Sequence, residues 1–164
     1  AEQAGIELQY GDTDMGFYLS ALRDNETAAA NIPQYLKDAA EENGFTIGER
    51  ANADWLSQFD YTSESGWMIW VNHVEISRSA GAWEVTPGTV IRWQFTVYGL
   101  GKDLGSGTYG TPFVTVGKKD ALVHAMAVAS KHQKAGKAYE NAVKVMEKMA
   151  STQNEINSAT EALQ

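Results

Sequence analysis

The start of the chain shows the period of two that is typical of a half-buried strand. Apolar side chains recur at Ile6, Leu8 and Tyr10, and the polar stretch 11–14 follows them. A second strand-like run extends from Met15 to Leu22. Two such runs joined by a short polar loop predict a β-hairpin.

An amphipathic helix is predicted after the hairpin. Asn31 and Gln34 have the spacing of a capping box, Pro33 falls in the first turn, and Gly44 can close the C-terminal end. The apolar positions of this segment share one helical face, which can pack on a sheet. They are Ile32, Tyr35, Leu36, Ala39 and Ala40.

Two longer strands are predicted at residues 65–72 and 90–98, with a turn at Thr86–Thr89 before the second. In the first of these strands, one face carries Trp67, Ile69 and Val71, and the other carries Met68, Trp70 and Asn72. Trp67 and Trp93 lie on the faces patterned as core. We therefore expect both side chains to be buried.

The composition changes abruptly near Gly117. Residues 1–117 hold all five Trp and fourteen of the fifteen Gly, and their six basic and sixteen acidic side chains give a net charge of −10. Residues 118–164 have seven basic and five acidic side chains, a net charge of +2, and one aromatic residue. Three short, Ala-rich apolar faces in this segment predict three helices, the last beginning at a capping box of Thr152 and Glu155. We expect an α+β domain at 1–117, a helical segment at 118–164, and proteolytic cleavage near residue 117 that leaves a folded N-terminal fragment.

Charge and residue types exclude several classes of function. The net charge of −8 argues against binding to nucleic acid, and no apolar run is long enough to insert into a membrane. The chain has no Cys, so it has neither disulfides nor thiolate metal ligands. No nucleophile elbow, zinc-protease helix or phosphate-binding loop is present, so we expect a protein that is not an enzyme.

Four segments of the first region resemble a known family. They are Tyr35–Gly44, Ser65–Asn72, Thr86–Trp93 and Gly101–Gly105. Their order is similar to that of the DUF4430 family, which is itself similar to the C-terminal β domain of transcobalamin and intrinsic factor. The resemblance implies a β-grasp-like antiparallel sheet with one packed helix, in a secreted or surface protein. It also makes cobalamin a candidate ligand, although no cofactor is certain.

The C-terminal region resembles a second family. Lys119–Val123, Tyr139–Val143 and Ser151–Leu163 are similar to the FIVAR helical repeat of bacterial cell-wall proteins. Those repeats usually act as spacers. The resemblance implies a small three-helix segment and a location at the cell surface or in the cell wall.

Acidic residues near the predicted hairpin raise the question of a metal site. Asp12 and Asp14, with Asp24 and Glu26, could supply some of the oxygen ligands that calcium takes. Asp also favours turn geometry by itself, and we prefer that interpretation. No metal is predicted, with Asp12 and Asp14 as the candidates if one binds.

Aromatic side chains that the core does not require are the candidate ligand-binding residues. Trp70 lies opposite Trp67 on its strand, and Trp83 lies in a loop flanked by small residues. Tyr98 and Tyr109 could extend the same surface toward a planar ligand or a sugar ring. Packing of these side chains against loops explains the pattern equally well.

The sequence thus favours an extracellular ligand-binding or adhesive module for a small molecule or glycan, with a corrinoid as one candidate. The alternative is a structural stalk segment of a cell-wall-anchored protein that has no ligand of its own. In both cases the other domains of a longer surface protein would be partners. Exposed aromatic side chains in a cleft would favour binding, and a sheet covered on both faces, with no cleft, would favour the stalk.

Overall fold

The computed structural model describes residues 5–14, 16–76, 78–132 and 136–164. It confirms the predicted α+β class with three helices at the C-terminal end, and its antiparallel strands form two three-stranded sheets. The strands are β1 (Glu7–Thr13), β2 (Gly16–Arg23), β3 (Leu56–Ser57), β4 (Gly66–Val71), β5 (Val74–Glu75) and β6 (Ile91–Thr96). The helices are α1 (Gln34–Glu42), α2 (Asp120–Lys131), α3 (Lys137–Glu147) and α4 (Gln153–Glu161).

The first sheet has the strand order β1-β2-β3 and contains the predicted hairpin. Leu8 pairs with Leu22, and a bulge follows Gln9. The hairpin is tighter than predicted, because residues 11–13 continue β1 and pair with β2 instead of forming a loop. Met15, where the second strand was predicted to begin, lies outside the described residues.

Helix α1 follows the prediction at its C-terminal end but not at its N-terminal end. Pro33 is the N-cap and no side chain caps the helix, so the capping box predicted from Asn31 and Gln34 does not form. At the other end, Gly44 has a φ of 81° and its N–H donates to Glu41 O, while Phe45 N donates to Ala40 O. This pair of bonds is a Schellman motif, which favours glycine because its central residue is left-handed.

The second sheet has the order β5-β4-β6. Strand β6 ends at Thr96 rather than at Tyr98, because the carboxylate of Asp103 replaces a strand partner at this point. Its oxygens accept from Thr96 Oγ1 at 2.6 Å and from Val97 N at 2.7 Å. Asp103 is fully buried, and burial raises the pKa of its carboxyl above the ordinary value.

The chain divides into two compact units. The first comprises Ala1–Ile69, Glu75–Glu84 and Trp93–Val114, and the second comprises Trp70–Val74, Val85–Arg92 and Thr115–Gln164. The second unit therefore includes short segments from the middle of the chain as well as the C-terminal helices. The domain boundary near residue 117 stays a prediction.

Helices α2, α3 and α4 share a small apolar core in the second unit. Its buried members are Leu122, Ala129, Ala142, Ile156, Ala159 and Leu163. The predicted capping box forms, since Thr152 Oγ1 accepts from Glu155 N and Glu155 Oε2 accepts from Thr152 N. No helix in the described part of the chain combines the length and the apolar character needed to span a bilayer.

Candidate ligand-binding cleft

An open cleft with a volume of about 530 Å³ lies within the first unit. Five aromatic side chains line it, together with polar groups and smaller apolar side chains. The aromatic residues are Phe17, Tyr18, Trp67, Trp93 and Tyr109. Such a mainly apolar concave surface with a few polar groups is typical of small-molecule sites.

Ring contacts hold the cleft's aromatic walls in place. Phe17 stacks on Tyr10 with centroids 5.3 Å apart and meets Trp93 edge-on at 6.2 Å. The indole of Trp67 packs edge-on against Phe95 at 5.3 Å. These are the offset and edge-to-face arrangements that aromatic pairs prefer, so ring packing positions Phe17, Trp67 and Trp93.

The indole N–H of Trp67 is satisfied within the protein. Its Nε1 donates to Leu56 O at 3.0 Å. A bound molecule would therefore meet the apolar body of this side chain rather than its polar edge.

A short 3₁₀ turn at Ala80–Ala82 forms another part of the wall. Ser79, which caps this turn, donates a long hydrogen bond of 3.4 Å from its hydroxyl to Phe17 O. The bond ties the turn to the beginning of β2, so this wall and the aromatic residues of β2 form one surface.

Glu75 and Arg78 contribute charge to the cleft. The hydroxyls of Ser106 and Thr108 both donate to Glu75 Oε2, the second of them at 2.8 Å. Glu75 is half-buried, whereas Arg78 is exposed. The cleft thus presents a carboxylate of fixed position and a solvated guanidinium.

The prediction that Trp70 is an exposed ligand-binding residue is wrong. Trp70 is 6% exposed, and the adjacent Val71 is buried as well. Because neighbouring strand residues point to opposite faces, both faces of β4 are covered at this end. Trp70 is therefore a core residue.

Tyr98 is also a core residue and not a surface for ligands. It is fully buried between Phe45 and Phe113, with ring centroids 5.2 Å from each. Burial raises the pKa of its hydroxyl to about 12, and no described group hydrogen-bonds to that oxygen. The strand ends before Tyr98, so alternation along β6 gave no guide to its surroundings.

The other four aromatic residues considered from the sequence differ in exposure and in whether they line the cleft. Tyr109 lines the cleft and is 57% exposed, and Trp83 is 38% exposed beside the 3₁₀ turn but is not a lining residue. Trp67 and Trp93 were expected in the core, but they are half-buried and line the cleft. The strand faces that carry Trp67 and Trp93 are thus partly open to solvent.

Several lining residues had no sequence pattern to single them out. They are Phe17, Tyr18, Glu75 and Arg78. Phe17 and Tyr18 are neighbours on β2, and the aromatic pair was the one available indication.

The acidic candidates Asp12 and Asp14 lie at the β1–β2 hairpin and are exposed. Across the described ranges, no three or more His, Asp or Glu side chains come together as a metal-binding group. Among these residues, Asp12 and Asp14 are thus not part of a cluster of three or more such side chains.

No family model, curated protein or solved structure matches this chain.

Proposed function

We propose that this chain is a ligand-binding module of an extracellular bacterial surface protein, and that the aromatic cleft is its binding site. The observation that carries the proposal is the convergence of five aromatic side chains from separate parts of the first unit on one cavity. Aromatic rings offer apolar contact area at low cost in conformational entropy, and ring packing holds three of the five, Phe17, Trp67 and Trp93. The role is binding rather than catalysis.

The volume of the cleft favours a compact ligand. About 530 Å³ lies within the range of roughly 300–1,000 Å³ that small-molecule sites occupy. A sugar ring or another ring-sized molecule would fit inside. Cobalamin, which the resemblance to the transcobalamin domain suggests, is too large to be enclosed and would contact the cleft along one edge.

The C-terminal helices fit the role of a spacer within the proposed surface protein. Their apolar faces pack on one another, with Leu122, Ala142 and Ile156 all buried. Few apolar side chains of these helices are left exposed, Val128 being one. We assign ligand binding to the cleft and not to this segment.

A thermal-shift screen of glycans, small ring compounds and corrinoids would test the proposal. Compounds that raise the Tm would then be titrated against wild type, Tyr109→Ala and the control Tyr35→Ala. Tyr35 is an exposed tyrosine of α1 that does not line the cleft. We expect Tyr109→Ala to weaken binding about tenfold, the loss of one aromatic contact, and Tyr35→Ala to leave Kd unchanged. A ligand that binds all three proteins equally well would not use the cleft.

The stalk alternative has one observation in its favour. Trp70 and Tyr98, two of the four aromatic residues singled out from the sequence, are buried and unavailable to a ligand. If no compound of any class shifts the Tm, the stalk becomes the better interpretation. A cleft-dependent ligand would exclude it.

A further inference from the structure

We infer that the aromatic cleft selects ligands that carry an organic cation, an alkylammonium or quaternary ammonium group. The inference rests on the proposed binding function and specifies its chemistry. It depends on the fixed carboxylate of Glu75 and on the ring faces that share the cavity with it.

The carboxylate of Glu75 is held in position by hydrogen bonds to one of its two oxygens. Both hydroxyl donors, from Ser106 and Thr108, reach the same oxygen, Oε2. No hydrogen bond from the described residues reaches Oε1, and none of the ion pairs among them involves Glu75. A half-buried carboxylate in an aromatic wall therefore has an oxygen free for a ligand, without a protein cation to neutralise it.

The surrounding rings complement this carboxylate. The faces of Trp, Tyr and Phe carry negative electrostatic potential and attract a cation that lies over them. Trp67, Trp93 and Tyr109 line the same cavity as Glu75. The methyl groups of an ammonium can pack on the rings while its charge faces the carboxylate, an arrangement that neither a neutral sugar nor an anion can use fully.

The net negative charge of residues 1–117 also favours a cationic ligand. Residues 1–117, which contain every lining residue, have a net charge of −10. A field of this sign raises the local concentration of cations and lowers that of anions.

Among the described lining residues, Arg78 is the group that opposes a cation. It is exposed, so water and salt screen its charge, whereas Glu75 is half-buried and less screened. Removing the guanidinium in Arg78→Gln should therefore tighten the binding of a simple cation.

The test compares choline with its neutral isostere 3,3-dimethyl-1-butanol on the full chain, by calorimetric titration at low salt. The two probes have the same branched shape and differ in charge. We expect choline to bind wild type at least about tenfold more tightly than the alcohol. In Glu75→Gln, which keeps an acceptor for Ser106 and Thr108, the two probes should bind alike. Glu84→Gln makes the same charge change at an exposed position outside the cleft and should behave as wild type.

The possible outcomes distinguish failure of cation selection from failure of the cleft as a binding site. Equal binding of both probes to wild type, or loss of choline binding in Glu84→Gln as large as in Glu75→Gln, would overturn selection of a cation by Glu75. A neutral ligand that binds in a Tyr109-dependent way, while choline does not bind, would also overturn it but leave the cleft as the binding site. If Glu75→Gln does not fold, the comparison of the two probes on wild type decides.

Discussion

Trp70 provides a test of packing at the scale of one residue. Its side chain is 6% exposed, whereas Trp83 is 38% exposed. Truncation of a buried Trp to Ala typically costs about 3–5 kcal/mol, because apolar contacts are lost and a cavity remains. We expect Trp70→Ala to lower the free energy of unfolding by that amount in urea titrations.

The control for this prediction is Trp83→Ala, with the same chemical change at a partly exposed position. It should cost about 1 kcal/mol or less. An equal decrease in the free energy of unfolding in the two variants would show that burial of Trp70 does not add to its contribution to stability.

Alternation along a strand predicts which side chains share a face but not what covers that face. The assignment of Trp70 and Val71 to opposite faces of β4 agrees with the structure, yet both are buried. The aromatic neighbours of Tyr98, Phe45 and Phe113, are distant from it in the sequence. Burial of a single residue in this fold thus depends on long-range contacts that periodicity does not encode.

At the scale of elements, a sequence pattern predicts an interaction correctly when the position of the element's end is also correct. Thr152 and Glu155 form their capping box because Thr152 is the N-cap of α4 and Glu155 lies in its first turn. Asn31 and Gln34 have the same spacing, but the helix begins at Gln34, so Asn31 is too far from its first turn. Spacing alone could not locate the helix start; here Pro33 is the N-cap, and a proline disfavours helical geometry in the residue before it.

The capping box makes the stability of α4 depend on pH. Hydrogen bonds from Lys148 and Thr152 lower the pKa of the Glu155 carboxyl to about 2, from an ordinary value of 4.5. A lowered folded-state pKa contributes stability above the unfolded pKa, and that contribution is lost as pH falls. We expect wild type to lose stability between pH 4.5 and 2 more steeply than Glu155→Gln, measured by denaturant titration at each pH. Glu161→Gln, which makes the same change at the other end of the helix and outside the capping box, is the control.

Gly117 lies where the composition changes, and the structure gives it a packing role. A Cβ at this position would lie 2.3 Å from Ile156 Cδ1 and 2.9 Å from the carbonyl oxygen of Ser151. The second of these is backbone and cannot move aside cheaply. Gly117→Ala should therefore destabilise the second unit by about 1–3 kcal/mol, read from the helical circular dichroism during unfolding. Gly107→Ala, where nothing lies within 4 Å, is the control and should have no overpacking cost.

At the scale of the whole molecule, composition was enough to predict the class of fold. The turn-rich, aromatic region forms the strands, and the Ala-rich region forms three helices. The cleft was not predictable in the same way, because Phe17, Trp67, Glu75 and Trp93 come from four segments whose pairing only the tertiary fold defines. Tyr109 was the one candidate residue from the sequence that the cavity includes.

The composition of the second unit leads to a prediction about truncation. The change in composition near Gly117 predicts that residues 1–117 form a stable fragment, but the second unit includes Trp70–Val74 and Val85–Arg92 as well as the helices. Within that unit, Arg92 Nε lies 3.3 Å from Asp120 Oδ1, and both side chains are largely buried. A chain that ends at residue 117 would lack Asp120 and the helices that complete this unit.

We therefore expect the truncated chain to unfold at a lower urea concentration than the full chain. All five Trp lie in residues 1–117, so tryptophan fluorescence reports on the shared region in both proteins, and circular dichroism at 222 nm follows the helices. Trp70 belongs to the same unit as the helices, so the part of the fluorescence change that Trp70 contributes should coincide with the transition at 222 nm in the full chain. An unchanged fluorescence midpoint after truncation would show instead that residues 1–117 fold without the helices, as the change in composition suggested. Asp120→Asn in the full chain distinguishes the ion pair from the rest of the packing, since it removes the charge that faces Arg92 but leaves the helices in place. Its midpoint should fall between those of the full and the truncated chains.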